Sequence, residues 1–165
     1  MAKTLYIIRH AKSSWKDLSL DDFDRTLNKR GKSDAPLMGI RLEEQNVLPD
    51  LIISSSAKRT KKTAKIIAKI LKYKNDIIYT RELYESSVDA MHSILVEIND
   101  ENNTVFLVGH NTGINGFVQE YINLQENVPT SGIVEIEFDC DKWSEISTTN
   151  AKLISFDYPK KDTNI

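Results

Sequence analysis

Three short apolar runs that do not alternate constrain this chain most. Leu5-Tyr6-Ile7-Ile8, Leu51-Ile52-Ile53 and Val105-Phe106-Leu107-Val108 all lack the period-2 pattern of a strand with one wet face. A strand that is apolar on both faces must be covered on both, and the amphipathic stretches between these runs supply the helices to cover it. The expected fold class is therefore α/β: a three-layer α/β/α sandwich with a mostly parallel sheet. A length of 165 residues suits one domain. That domain is expected over residues 1–158, with a polar tail over 159–165.

Asn28 is placed to cap a helix running to about Gln45, with Leu37, Ile40 and Leu42 facing inward and Pro36 kinking it. A second helix is expected from about Ala57 to Leu71, with Ile66, Ile67, Ile70 and Leu71 at helical spacing. Ile77-Ile78-Tyr79 reads as a short strand. Further helices are expected from Val88 to Ile98 and from Ile114 to Leu124. After Pro129 the pattern changes, because Val134, Ile136 and Phe138 alternate with Glu135 and Glu137. Strand-like pieces at Trp143–Ile146 and Ala151–Phe156 follow, so a C-terminal antiparallel hairpin is expected beside the parallel strands. Residues 11 to 27 are polar and aperiodic, which marks a functional loop.

Composition narrows the function. Lys plus Arg number 22 and Asp plus Glu 24, a net charge of −2, so nothing pulls the chain toward nucleic acid or an anionic membrane. No apolar run is long enough to span a bilayer or to form a signal-peptide core, and a cytoplasmic address is expected. The single cysteine, Cys140, excludes an internal disulfide and a cysteine-based zinc cluster.

In open α/β sheets, ligands bind beyond the carboxyl ends of the strands. The first apolar run is followed there by Arg9-His10. The second is followed by three serines and then Arg59, and the last by Gly109-His110. A single histidine after a strand is most often structural, but two of only three at matching strand ends point to a site. Arg59 falls in the first turn of its helix, where a cation opposes the helix dipole at a cost of roughly 0.3–1 kcal/mol. Lys58, Lys61 and Lys62 crowd the same end and read as a solvated basic face. For Arg59 a bound anion reverses the penalty, because guanidinium groups and helix N-termini both favour phosphate. Arginine, histidine and a helix N-terminus form a toolkit for phosphoryl transfer without metal or cofactor. Neutral imidazole supplies the nucleophile and arginines stabilise the transferring oxygens.

Three patterns mimic other chemistries. Asp22-Phe23-Asp24-Arg25-Thr26 matches the D-x-D-x-T of aspartyl-phosphate phosphatases, but no buried strand precedes it. No arginine follows Cys140 at the spacing of a cysteine-based phosphatase. Gly109-His110-Asn111-Thr112-Gly113 has Asn where a nucleophile elbow needs Ser. His10, His92 and His110 lack the i, i+4 spacing of a helical metal site, so no metal is expected.

Taken together, these residues resemble the histidine phosphatase superfamily, with its phosphoglycerate mutase-like fold. Arg9-His10 after a strand is its first signature, here followed by Ala11 where glycine is usual. Arg25-Thr26-Leu27-Asn28-Lys29-Arg30-Gly31 is similar to its R-x-L-T-x-x-G segment. Ser55 to Thr63 is similar to its S-x-x-x-R-[AT]-x-x-T helix start, and Val108-Gly109-His110 to its second-histidine motif. The resemblance covers nearly the whole chain in order. Within it, Arg9-His10-Ala11-Lys12-Ser13-Ser14-Trp15 and the short length resemble the SixA-type phosphohistidine phosphatase branch.

The resemblance implies His10 as nucleophile, a phosphohistidine intermediate, and Arg9, Arg25, Arg59 and His110 around the phosphate. It implies Glu85, in Leu83-Tyr84-Glu85, as proton donor, with Glu82 as a rival. Ala11, and Lys12 where many relatives have Glu, bear on substrate contacts rather than on the phosphate pocket. The implied substrate is a histidine-phosphorylated protein, with inorganic phosphate as product. The alternatives are a small-molecule phosphomonoesterase acting on sugar or nucleotide phosphates, and a phosphate-binding module without turnover.

Overall fold

In the computed structural model, which describes residues 2–161, the three non-alternating runs become strands at the centre of one sheet. In chain order the strands are β1 (Lys3–Arg9), β2 (Leu51–Ser55), β3 (Ile78–Thr80), β4 (Thr104–Gly109), β5 (Ile133–Phe138) and β6 (Ala151–Asp157). The helices are α1 (Lys29–Glu44), α2 (Lys58–Ile70), α3 (Val88–Val96) and α4 (Gly113–Ile122). The sheet order is β3-β2-β4-β1-β5-β6. The first four strands in that order are parallel, β5 runs antiparallel to β1, and β6 runs antiparallel to β5.

The doubly apolar strands feed two cores. Leu5, Ile7, Val105 and Leu107 point to one face, among Met91 and Leu95 of α3 and Ile114 and Phe117 of α4. Tyr6, Ile8, Phe106 and Val108 point to the other, among Met38 and Leu42 of α1 and Ala64 and Ile67 of α2. Leu5, Ile7 and Ile8 are wholly buried, worth roughly 2 kcal/mol each. This is the expected α/β/α sandwich.

Two local expectations fail. Leu37 and Ile40 do not face inward but are exposed, at 37% and 44%. The inward face of α1 is Gly31, Ala35, Met38, Gly39 and Leu42. Small residues let the helix approach closely: a Cβ on Gly39 would lie 2.9 Å from the Ile70 Cδ1 of α2. The helix also runs on through Pro36, with Asn28 capping it by accepting from the Gly31 amide at 2.8 Å. The second failure is the strand at Trp143–Ile146. Trp143–Glu145 is a 3₁₀ turn whose indole is fully buried and donates to the Asn102 carbonyl at 2.6 Å, so the residue plugs the core. The rest of the hairpin stands as β5 and β6. Of the polar tail expected over 159–165, Pro159 is buried and its carbonyl accepts from Arg41 of α1. Residues 162–165 lie outside the described residues. Among the described residues no helix is long and apolar enough to cross a membrane.

The topology also makes a crevice. After β1 the chain passes to α1 on one face, and after the neighbouring β4 it passes to α4 on the other. This is a topological switch point, where open α/β sheets place ligands.

Candidate active site

Register explains why two histidines meet. Arg9 pairs with Gly109 across β1 and β4, so His10 and His110 leave the sheet side by side. Their ring centroids lie 5.2 Å apart and both residues are buried. The His10 Nδ1 lies 2.8 Å from the Ala11 carbonyl oxygen. A carbonyl can only accept, so the proton of the neutral ring sits on Nδ1 and Nε2 keeps its lone pair. Burial lowers the pKa of His10 most. The Ala11 contact opposes this, and the charges of Arg59, Arg9 and Arg25 lower it further, to about 4. At neutral pH, then, His10 is an uncharged imidazole with an oriented Nε2 lone pair, the state that nucleophilic chemistry needs.

His110 is held differently. Its Nε2 lies 2.8 Å from the Ser55 hydroxyl, and that oxygen already accepts from the Ala57 amide. With the hydroxyl donating to Nε2 the neutral ring carries its proton on Nδ1; with Nε2 donating to the hydroxyl, Nδ1 is an acceptor. Burial, followed by His10 and Arg59, lowers the His110 pKa to about 3.

The arginines complete the cleft, which has a volume of about 290 Å³ and is lined by Arg9, His10, Arg25, Arg59, His110 and Trp15 among others. Arg9 donates Nη1 to the Val128 carbonyl at 3.0 Å. Arg59 donates Nη1 to the Asp22 carbonyl at 2.6 Å and Nη2 to Asp22 Oδ2 at 2.9 Å. Arg25 donates Nη1 to the Ser13 hydroxyl at 2.7 Å and Nε to Asp22 Oδ1 at 3.1 Å, and its guanidinium lies 3.5 Å from the centre of the Trp15 ring. Three buried nitrogens here have no partner: the donors Arg9 Nε and Arg59 Nε, and His110 Nδ1. Each unmade bond costs roughly 1–3 kcal/mol, so such a cluster marks a place for an oxyanion.

Five expected residues therefore converge: Arg9, His10, Arg25, Arg59 and His110. Glu85 does not join them. It is exposed, at a φ of 55°, and lies outside the cleft lining, as does the exposed Glu82. Lys12 and Trp15 stand at the mouth. Among the described residues no group of three or more His, Cys, Asp and Glu side chains is placed to hold a metal.

Sequence reasoning missed the roles of several supports. Thr63 Oγ1 accepts from the Ala11 amide at 2.9 Å and so fixes the backbone beside His10. The Tyr84 ring stands edge-on to His110, with centroids 5.4 Å apart, and its hydroxyl donates to Asp22 Oδ2 at 2.6 Å. Thr63 was visible within a motif. Asp22 and Tyr84 gave no signal beyond their types.

Comparison with known proteins follows the same line. A model of the histidine phosphatase superfamily (branch 1) matches residues 5–102, more than half of the chain. A chloroplastic protein of Arabidopsis thaliana is 48% identical over 65 residues, which are 39% of this chain and 30% of that one. The matched segment thus spans less than a third of that relative. Among solved structures, a protein of Agrobacterium tumefaciens provisionally designated phosphohistidine phosphatase SixA is 28% identical, with a TM-score of 0.83 over 96% of this chain and 99% of that one. The protein histidine phosphatase SixA complexed with tungstate shares the fold at a TM-score of 0.81 and 19% identity, over 94% of this chain and 97% of that one.

Proposed function

The chain belongs to the histidine phosphatase superfamily, and from that membership we propose that it hydrolyses protein phosphohistidine through a phospho-His10 intermediate. The observation that carries the reading is the cluster of buried, unpartnered nitrogens around His10: Arg9 Nε, Arg59 Nε and His110 Nδ1. Two further facts support it. Tungstate, a tetrahedral oxyanion, is bound by a SixA protein of the same fold. The cleft, at about 290 Å³, is at the small end for a site that surrounds a metabolite, and the exposed Trp15 forms part of its rim.

The His10 Nε2 lone pair attacks phosphorus in line. The phosphorus–nitrogen bond to the substrate imidazole breaks, and its electron pair stays with that nitrogen, which takes a proton. Arg9, Arg25, Arg59 and the His110 Nδ1–H hold the three oxygens. Water then attacks phosphorus, the phosphorus–Nε2 bond breaks with its electron pair returning to His10, and inorganic phosphate leaves with the oxygen of that water. An imidazole needs less help in leaving than an alkoxide, so the step does not depend on Glu85.

Brief exposure to a radiolabelled phosphodonor, followed by peptide mapping, is expected to place acid-labile label on His10. A panel of a phosphorylated histidine domain, a phosphoramidate and sugar and nucleotide phosphates is expected to rank the phosphoprotein first in kcat/KM. A metabolite ahead by about a hundredfold, or about 2.7 kcal/mol, makes the protein a small-molecule phosphatase instead. Tight phosphate binding without label or turnover makes it a binding module.

A further inference from the structure

Asp22 lies at the start of a 3₁₀ turn (Asp22–Asp24) within the 11–27 loop, remote in sequence from most of the groups it touches. Its backbone carbonyl and Oδ2 take Nη1 and Nη2 of Arg59, and its Oδ1 takes Nε and Nη2 of Arg25. Ser13 takes the remaining Nη of Arg25. The Tyr84 hydroxyl donates to Oδ2, while the Tyr84 ring rests against His110 and against Phe23 of the same turn. One carboxylate therefore joins the loop to two arginines of the cleft and, through Tyr84, to the second histidine.

Charge-assisted bonds of this kind fix guanidinium planes. At Arg59 the Nη edge is occupied, and Nε is left buried and without a partner. An arginine free to rotate would have to lose that freedom each time substrate bound. The loop itself is tied down at its base by the Ser13–Leu27 bridge, by Ser14 N–H to the Thr26 carbonyl at 2.7 Å and by Asn28 N–H to the Lys12 carbonyl at 3.0 Å. Asp22 thus holds the arginines from an anchored frame.

We propose that Asp22 is a positioning residue, a carboxylate clasp that sets Arg25 and Arg59 for the phosphoryl group. It acts through them and does not touch substrate. The inference rests on the phosphatase reading for its place in the reaction. Hydrogen bonds from Tyr84, Arg59 and Arg25, with the Arg59 charge, outweigh desolvation and hold the Asp22 carboxyl well below the usual carboxylate range, so the clasp stays charged at neutral pH.

The sign of one measurement decides the matter. Removing a negative charge beside an anion site should tighten anion binding on Coulomb's law alone. A clasp makes the opposite demand. Tungstate binding to the protein would be measured by calorimetry for wild type, D22N, D22A and D22E, with thermal melts as a fold check. Turnover of a phosphoramidate would be followed in parallel. D22N and D22A are expected to bind tungstate tenfold or more weakly and to lose about a hundredfold in kcat, with unchanged melting cooperativity. D22E is expected to recover part of both losses. Tighter or unchanged tungstate binding in D22N overturns the proposal, since Asp22 would then be a competing plug or a bystander. Tungstate binding is read without turnover, so a wild type that binds but does not hydrolyse defeats the phosphatase reading and leaves this test intact.

Discussion

Acid should destabilise this protein in a window set by its buried imidazoles. His10 is 7% exposed and its pKa is lowered from 6.5 to about 4, first by burial and then by the Arg59, Arg9 and Arg25 charges. In the unfolded chain the same ring titrates near 6.5. Between those values the unfolded state takes up a proton that the folded state refuses, so stability falls as pH falls. At about 1.4 kcal/mol for each tenfold change in proton affinity, His10 alone is worth about 2–3 kcal/mol between pH 7 and pH 4.5. His110, lowered to about 3, adds to the loss with the same sign. The window lies above the range in which most carboxylates titrate. Urea unfolding at pH 7.0, 6.0, 5.0 and 4.5 measures the slope, and H10N, which cannot titrate, should flatten it by the His10 share. A slope unchanged in H10N, or stability that rises toward pH 4.5, would refute the account of a buried neutral imidazole among arginines.

Three further outcomes are expected. H10A should lose more than a thousandfold in turnover, about 4 kcal/mol, while keeping its melting temperature within a few degrees; activity within tenfold of wild type would exclude a nucleophilic role. Turnover should survive EDTA and be inhibited competitively by phosphate, vanadate or tungstate, because three arginines line the cleft and no group of three or more His, Cys, Asp and Glu is placed to hold a metal among the described residues; loss on chelation, restored by a divalent cation, would contradict this. Gly31→Ala places a Cβ 2.1 Å from the Lys12 carbonyl oxygen, backbone against backbone; it should cost about 2–3 kcal/mol in chemical denaturation despite the better helix propensity of alanine.

The layers were legible because they follow from periodicity alone. A run such as Leu5 to Ile8, with no polar position, demands cover on both faces, and α1 with α2 and α3 with α4 provide it. What periodicity could not give was the inward face of α1. Leu37 and Ile40 are exposed while Ala35, Met38, Gly39 and Leu42 face in, and at Gly39 the close approach of α2 leaves no room for a side chain. Trp143 was misread as well. Trp143 and Ile146 are apolar residues three apart, a spacing that fits a tight turn, and a 3₁₀ turn delivers the indole donor to the Asn102 carbonyl.

The site divides along the same line. His10, Arg59 and His110 could be read because each follows a strand, and strand ends share an edge. The contribution of the 11–27 loop depends on distances that no local pattern encodes. Asp22 is a case in point: in sequence it is the first Asp of a D-x-D-x-T look-alike, and in space it is the acceptor for two arginines, 3 and 37 residues along the chain. The motif residues flanking that loop explain why such a distant pairing can be stable. Gly31 leaves room for the Lys12 carbonyl, Asn28 caps α1 where the loop ends, and Thr63 binds the Ala11 amide where the loop begins. Each spends its side chain, or the lack of one, on closing the loop against α1 and α2. The signature thus specifies an anchored loop as well as a histidine at a strand end, and an anchored loop is what Asp22 needs if one exposed carboxylate is to hold two buried guanidinium groups.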